Sequence, residues 1–439
     1  MKRKLTALLA GLMLLLTGCS AVSADNLYAL PQRSAEYRNL QAAVEAALGS
    51  GSYSAPVSGA NRQAVQQVDL DGDGVDETLV FCKQEGERPL KLLIFRRVED
   101  NYEQVCTLEG DGSAFDSVQY AQLDGQPGQE ILLSRRIGEQ VQRFLSVYTM
   151  TGQDVYELMN SGYTACTVSD LDGDQRDDIF VLRANSEGLR AYAELYRFRD
   201  GELRKDAETS LSTDADSVKR ILTGSIAENV PAVFVASAFD ESNLITDVFA
   251  LKQDVFTNLT QNAESGQSSQ TVRNYYVYST DIDSDKLIEL PDTVPLRSVE
   301  GDEQSYGQYR IIWYNLNLDG TRSDKISTYH NFAEGWFLYL PEDWCGGLSV
   351  TKHRAEDGLA GTELSKLAED GTRTPLVTIY AMTGEKAQEQ SVGCGRFLLT
   401  QRGDVFYAAE LSEEAGMDEE QLQARFSFIS LDLIPTLGQ

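Results

Sequence analysis

The residues of this chain best placed to do chemistry are acids on strict alternation, in the stretch Asp69-Leu-Asp71-Gly-Asp73-Gly-Val75-Asp76-Glu77. It recurs as Asp170-Leu-Asp172-Gly-Asp174-Gln-Arg176-Asp177-Asp178 and as Asp281-Ile-Asp283-Ser-Asp285-Lys-Leu287-Ile-Glu289. A decayed copy reads Gln122-Leu-Asp124-Gly-Gln126-Pro-Gly128-Gln-Glu130, and a further degenerate one is placed near Leu222-Thr-Gly224. Calcium takes roughly six to eight hard oxygen ligands, which a loop supplies from acids at positions 1, 3, 5 and 9 and a backbone carbonyl at position 7. In this register the first loop offers Asp69, Asp71, Asp73, Glu77 and the Val75 carbonyl. The third offers Asp170, Asp172, Asp174, Asp178 and the Arg176 carbonyl, and the fifth Asp281, Asp283, Asp285, Glu289 and the Leu287 carbonyl. Gly74 at position 6 permits the sharp turn, whereas Gln175 and Lys286 strain it. The second loop has lost its acids at positions 1 and 5 and reads as metal-free. A solvated acidic turn is the alternative for each loop, since Asp and Gly are common in turns. Several carboxylates gathered without a cation repel one another, so three full copies predict two or three structural Ca2+ ions.

The elements that must position these loops follow from the spacing, which is about 48 to 59 residues from loop to loop. Unit one reads as strands Ala64–Val68, Thr78–Cys82, Lys91–Arg96 and Tyr102–Leu108, with the acidic loop between the first two. Unit three repeats the order with Ala165–Ser169, Ile179–Arg183, Ala191–Phe198 and a closing strand after Arg199-Asp200-Gly201. Unit five closes with Tyr309–Asn315 and Lys325–His330. Four strands per unit at this period make a blade of a β-propeller, because one such sheet cannot bury both faces alone. A mainly β fold is expected, a five-bladed propeller over 60–332. The loops and their period resemble the integrin-type FG-GAP repeat and the VCBS-type repeats of bacterial surface proteins, without the Phe-Gly and Gly-Ala-Pro signatures of the integrin form. The resemblance implies calcium-braced blades on an extracytoplasmic protein.

Flanking regions differ. Tyr37, Leu40, Val44 and Leu48 fall at helical spacing, predicting an amphipathic helix within 35–50 that Gly49 and Gly51 end. From 333 to 439 the repeat stops and a small α+β domain is expected, with strands at Leu348–His353, Leu376–Met382 and Val405–Leu411 and a helix at Asp418–Phe426. The first residues have the basic start and short apolar run of a secretory signal. Their close, Leu16-Thr17-Gly18-Cys19-Ser20, resembles the lipobox of bacterial lipoproteins, which implies removal of 1–18, lipidation of Cys19 and attachment to the membrane through that lipid. Residues 19–34 read as a tether.

Composition narrows the function. The formal charge is −30 and becomes about −33 once Lys2, Arg3 and Lys4 are removed, which disfavours a nucleic acid partner. The five cysteines beyond Cys19 lack zinc or scaffold spacing, and Cys345 and Cys394 either bridge or act as small apolar residues. Only His330 and His353 are present, neither in a nucleophile or metal motif. The sequence therefore predicts a non-catalytic surface module that binds a protein or glycan, with Tyr275, Tyr276 and Tyr278 as strand or contact residues. A cell-envelope carbohydrate- or peptidoglycan-active hydrolase is the alternative, and it requires two carboxylates about 5 to 10 Å apart in a cleft outside the metal loops.

Overall fold

The computed structural model describes residues 35–138, 142–185, 189–274, 277–299, 301 and 303–430. The leader 1–18, Cys19, the tether 19–34, Tyr275 and Tyr276 lie outside the described residues. Five successive antiparallel sheets follow the chain. The first holds β1 (Ser52–Tyr53), β2 (Val65–Val68), β3 (Glu77–Lys83), β4 (Leu90–Val98) and β5 (Asn101–Gly110). The second is the meander β6 (Ala114–Ala121), β7 (Glu130–Ile137), β8 (Gln142–Thr151), β9 (Asp154–Tyr163), and the third is β10 (Ala165–Ser169), β11 (Asp178–Arg183), β12 (Tyr192–Arg199), β13 (Glu202–Ser210). The fourth runs β14 (Val218–Ala227), β15 (Val230–Ala238), β16 (Leu244–Lys252), β17 (Val255–Asn258). The fifth runs β18 (Leu290–Pro295), β19 (Tyr309–Leu316), β20 (Arg322–Asn331), β21 (Trp336–Leu340).

Each neighbouring pair of these sheets shares one apolar core. Leu79, Phe81 and Leu92 of the first sheet meet Phe115, Ile131 and Leu133 of the second, and Leu132 and Val147 meet Ile179 and Val181 of the third. Phe180 and Leu182 then meet Val233 and Val235, and Phe234 and Val248 meet Leu290 and Tyr314. Alternate residues of one strand thus feed opposite cores. This is why β7, β11 and β15 read as continuous apolar runs rather than as alternating strands. Burial of such side chains stabilises each core by roughly 1.5–3 kcal/mol per residue. A bulge recurs between β4 and β5, β8 and β9, β12 and β13, and β19 and β20, leaving Val105, Leu158, Asp206 and Lys325 as the extra residues.

The face of the first sheet turned away from the second carries Val80, Cys82, Leu93 and Phe95. The helix Ala35–Leu48 covers it through Val44, Leu40 and Ala43. Gln84 donates from Nε2 to the Ala47 and Leu48 carbonyls at 3.2 Å, satisfying acceptors the helix end leaves open. Among the described residues no apolar cluster joins the first sheet to the fifth; beyond β19 the fifth presents Ile311, Trp313 and Phe337 to Val277, Ile282 and Ile429.

Two expectations change. No acidic loop exists near Leu222-Thr-Gly224, since these residues lie inside β14 and only Glu228 and Asn229 link it to β15. The break expected after 332 falls inside the β20–β21 hairpin, and β27 (Phe426–Phe428), from the chain's far end, pairs with β21. The remaining C-terminal sheet orders its strands as β22 (Leu348–Arg354), β23 (Ala360–Leu367), β24 (Arg373–Met382), β26 (Val405–Leu411), β25 (Phe397–Arg402). It shares a core of Trp336, Leu338, Trp344, Leu364 and Ile379 with β21. The helix Glu419–Arg425 starts where expected, with Asp418 and Gln421 forming a reciprocal capping box. Cys345 and Cys394 are both free thiols.

The loop ends of adjacent sheets touch. Asp177 and Gln122 exchange two hydrogen bonds, N–H to carbonyl at 2.6 Å and Gln122 N–H to the Asp177 carboxylate at 3.0 Å. Ile288 N–H makes the corresponding bond to the Ser225 carbonyl at 2.8 Å. Gly72 lies against Pro127 so closely that a Cβ would collide with the Pro127 backbone, and its φ is +75°. Gly72→Ala is therefore expected to cost about 1–3 kcal/mol, read as a lowered urea midpoint, whereas Gly152→Ala, at a turn with open space, costs only its positive φ.

Candidate metal centres

The three full loops bring carboxylates together. Asp69, Asp71 and Glu77 offer oxygens within 4.8 Å of one another, as do Asp170, Asp172 and Asp178, and as do all four of Asp281, Asp283, Asp285 and Glu289. Asp73 and Asp174, expected as ligands, fall outside their clusters. Asp174 instead binds the Arg176 side chain, its Nε at 2.8 Å.

One backbone scheme builds every loop. The position-1 carboxylate accepts two turn amides: Asp69 from Gly72 and Gly74 at 2.7 and 3.0 Å, Asp170 from Gly173 and Gln175 at 2.6 and 2.9 Å, and Asp281 from Asp285 and Lys286 at 3.1 and 2.8 Å. The amides of Val75, Arg176 and Leu287 donate to the position-5 acids at 2.8, 2.9 and 2.9 Å. The position-9 acid folds back onto the position-2 amide: Leu70 to Glu77 at 3.0 Å, Leu123 to Glu130 at 2.7 Å, Leu171 to Asp178 at 3.0 Å and Ile282 to Glu289 at 3.1 Å. Position 6 has positive φ in all three full loops, at Gly74, Gln175 and Lys286. The two non-glycine residues hold a conformation that costs roughly 1–2 kcal/mol each.

The position-9 carboxylates are buried, and burial raises the pKa of Glu77, Glu130 and Glu289. Asp178 goes furthest, pushed up to about 7 by burial and by the nearby Asp172 and Asp174 charges. An all-oxygen donor set whose buried position-9 acid holds its proton more tightly than usual is one that a hard divalent cation relieves, and it is compatible with calcium. Those clusters would hold the ion, and when bound it would tie the turn to the first residues of the next strand.

Sequence reasoning missed the positive groups aimed at these clusters. Arg96 on β4 ion-pairs with Asp71, Asp73 and Glu77. Arg197 on β12 reaches Asp172 at 3.2 Å, Asp254 at 2.9 Å and Asp206. Lys325 touches Asp283, Asp285 and Glu289 at 2.8, 2.5 and 2.9 Å. A signal existed for two of them, because Arg96 and Arg197 each stand 19 residues past the position-9 acid. Lys325 has no such offset, since it is the bulge residue of β20.

The second loop keeps the frame with its own donor. Gln122 accepts the Gly125 amide at 2.8 Å through Oε1 and donates from Nε2 to the carbonyls of Gln126 and of Gly128, the latter, at position 7, at 3.1 Å. A neutral carboxamide thus meets the position-7 carbonyl. Gln122→Ala is expected to cost about 1–3 kcal/mol in urea unfolding without changing the number of calcium ions bound.

Elsewhere, His330 is buried, stacked on Phe337 with centroids 4.9 Å apart, and its ring nitrogens have no partner among the described residues. Burial lowers its pKa to about 3, so it is neutral at physiological pH. His353 faces Glu363 at 3.3 Å. A cleft of about 510 Å³ between β20 and the C-terminal sheet is lined by Tyr306, Gln308, Asn331, Thr351 and Lys352 among others, with no acid among the described residues. Among the described residues, a cleft of about 770 Å³ at Arg143, Tyr163 and Arg183 has Asp216 as its one acid, and another of about 440 Å³ has Asp343.

No family model matches the chain, and no curated protein does. Among solved structures it is similar to the exotype rhamnogalacturonan lyase YesX, at 9% identity over 67% of this chain and 74% of that one, with a TM-score of 0.29. A Bacillus licheniformis rhamnogalacturonan lyase matches at 14% identity over 74% and 71%, TM-score 0.27. A protein from Lactobacillus plantarum matches at 8% identity over 84% and 95%, TM-score 0.25. Scores of this size carry no argument about the fold or activity of this chain.

Proposed function

We propose that this chain is a lipid-anchored extracytoplasmic protein whose five blade-like sheets form a calcium-braced, propeller-like scaffold, acting as a non-catalytic module that binds a protein or glycan partner. The observation that carries this reading is the use made of the acids. The carboxylates of the repeated loops accept backbone amides and gather at the sheet ends. Among the described residues each of the three clefts above is lined by at most one carboxylate, so the hydrolase alternative finds no acid pair among them there. Among the described residues no helix is long and apolar enough to cross a membrane; in this reading the lipid of Cys19 attaches the chain. The unit from about 342 onward supplies a second contact surface, joined to the scaffold through β21 and β27.

Fractionation tests the anchor: Cys19→Ala is expected to move the protein from the membrane to the soluble fraction, and unchanged membrane association would remove the lipid from the reading. A glycan array and a pull-down from cell-envelope material test the module. Both blank would count against a binding role.

A further inference from the structure

We propose that Arg96, Arg197 and Lys325 are tethered counter-cations that occupy the acidic loops in the ion-free state and are displaced by calcium, so that each full loop exchanges an internal positive charge for a divalent ion. This rests on the metal-loop reading and adds a mechanism to it. The pairing of loop type with cation type carries the inference. Arg96, Thr149 and Arg197 occupy one ladder position, each next to the residue paired with position 10 of its loop. Arginine stands there over the two full loops, whereas over the decayed second loop the residue is Thr149, donating to Glu130 at 3.0 Å. At the matching position over the fifth loop stands Asn315, whose buried side-chain oxygen has no partner among the described residues, and the cation arrives instead from Lys325 on the neighbouring strand. A positive group therefore ion-pairs with every loop that has its full set of acids, whereas among the described residues none ion-pairs with Asp124 or Glu130, the acids the second loop keeps.

The geometry makes the two occupants exclusive. Lys325 Nζ lies within 3 Å of three of the four acids that would bind an ion, Asp283, Asp285 and Glu289. An ammonium and a divalent ion cannot share those oxygens, because like charges at such separations repel strongly in a half-buried site. Lys325 has a flexible stem that can swing outward, whereas Arg197 stays held by Asp206 and Asp254. The third loop exchanges by losing the 3.2 Å contact of Arg197 with Asp172, beside which Arg199 also lies at 4.0 Å. Exchange of this kind lowers calcium affinity and keeps the loops folded when calcium is scarce.

Calorimetric calcium titration of the chelator-treated chain lacking residues 1–19 tests this, comparing the parent with Lys325→Met and Arg96→Met, each also followed by thermal unfolding. The expected result is at least tenfold tighter binding at one site in each variant, together with a lower melting temperature without calcium. Variants that bind calcium as the parent does, or more weakly, would overturn the exchange while leaving the metal loops standing. No calcium bound by parent or variants would overturn both. Should Lys325→Met fail to fold without calcium, Lys325→Gln, which keeps a donor and removes the charge, is expected to show the same tightening; unchanged affinity there overturns the proposal.

Discussion

Calcium added to the chelator-treated protein lacking residues 1–19 is expected to raise its melting temperature strongly, with two or three ions bound per chain. At a free concentration about a hundredfold above the dissociation constant, each site contributes about 2.7 kcal/mol. The size of the effect depends on pH, and its direction follows from Asp178. In the ion-free fold its carboxyl is pushed up to about 7, against an ordinary value of 3.8. A raised folded pKa means that the fold favours the proton. That contribution is fully present below about 4 and is lost as pH rises through about 7. The ion-free protein should therefore weaken between pH 4 and 7 at this site. Calcium requires the ionised carboxylate, so its binding releases the proton and its stabilising effect should be larger at pH 8 than at pH 5.5. Scanning calorimetry at the two pH values checks both statements; an unchanged melting temperature at pH 8 would mean that the loops are acidic turns held by their own hydrogen bonds and by Arg96, Arg197 and Lys325.

The second large effect is expected in the fourth sheet, where the acidic loop is missing. Asp247, in the middle of β16, is completely buried. Its carboxylate accepts the Ser212 amide at 2.9 Å, the Ser212 hydroxyl at 2.6 Å, Asn258 Nδ2 at 2.8 Å and the Ser268 hydroxyl at 2.6 Å. These bonds tie the β13–β14 connection and the segment after β17 to the centre of the sheet. Asp247→Ala removes the acceptor and leaves four donors facing a cavity, at a cost of about 3–5 kcal/mol. Asp247→Asn keeps the volume but turns a new donor toward existing donors, so it should recover little. Urea unfolding of both variants decides the matter. A loss below about 1 kcal/mol for Asp247→Ala would mean that water replaces the carboxylate in this network.

The acidic loops were legible because their chemistry is local. The loop acids bind amides two to seven residues away, so the sequence alone determined where the turns fall and which strands flank them: β2, β3, β10, β11 and β20 lie within a few residues of the expected spans. The Asp418 helix start was legible for the same reason, since a capping box closes over three residues. The strands also determined that each sheet must be covered on both faces, because apolar residues at consecutive positions of β7, β11 and β15 leave no face for water.

Tertiary structure decided the rest, through contacts between residues far apart in the chain. Which faces meet is one such outcome: the helix Ala35–Leu48 covers the first sheet, and β27 returns from the C-terminus to extend the fifth. Three residues of Phe426–Phe428 have no periodicity from which a sheet could be inferred. The loop occupants are another, since Lys325 reaches acids 36 to 42 residues earlier only because a bulge turns it toward them. Asp247 is the plainest case. In sequence it is one acid among 68, and only the burial of its strand between two cores makes it a fixed acceptor with four partners.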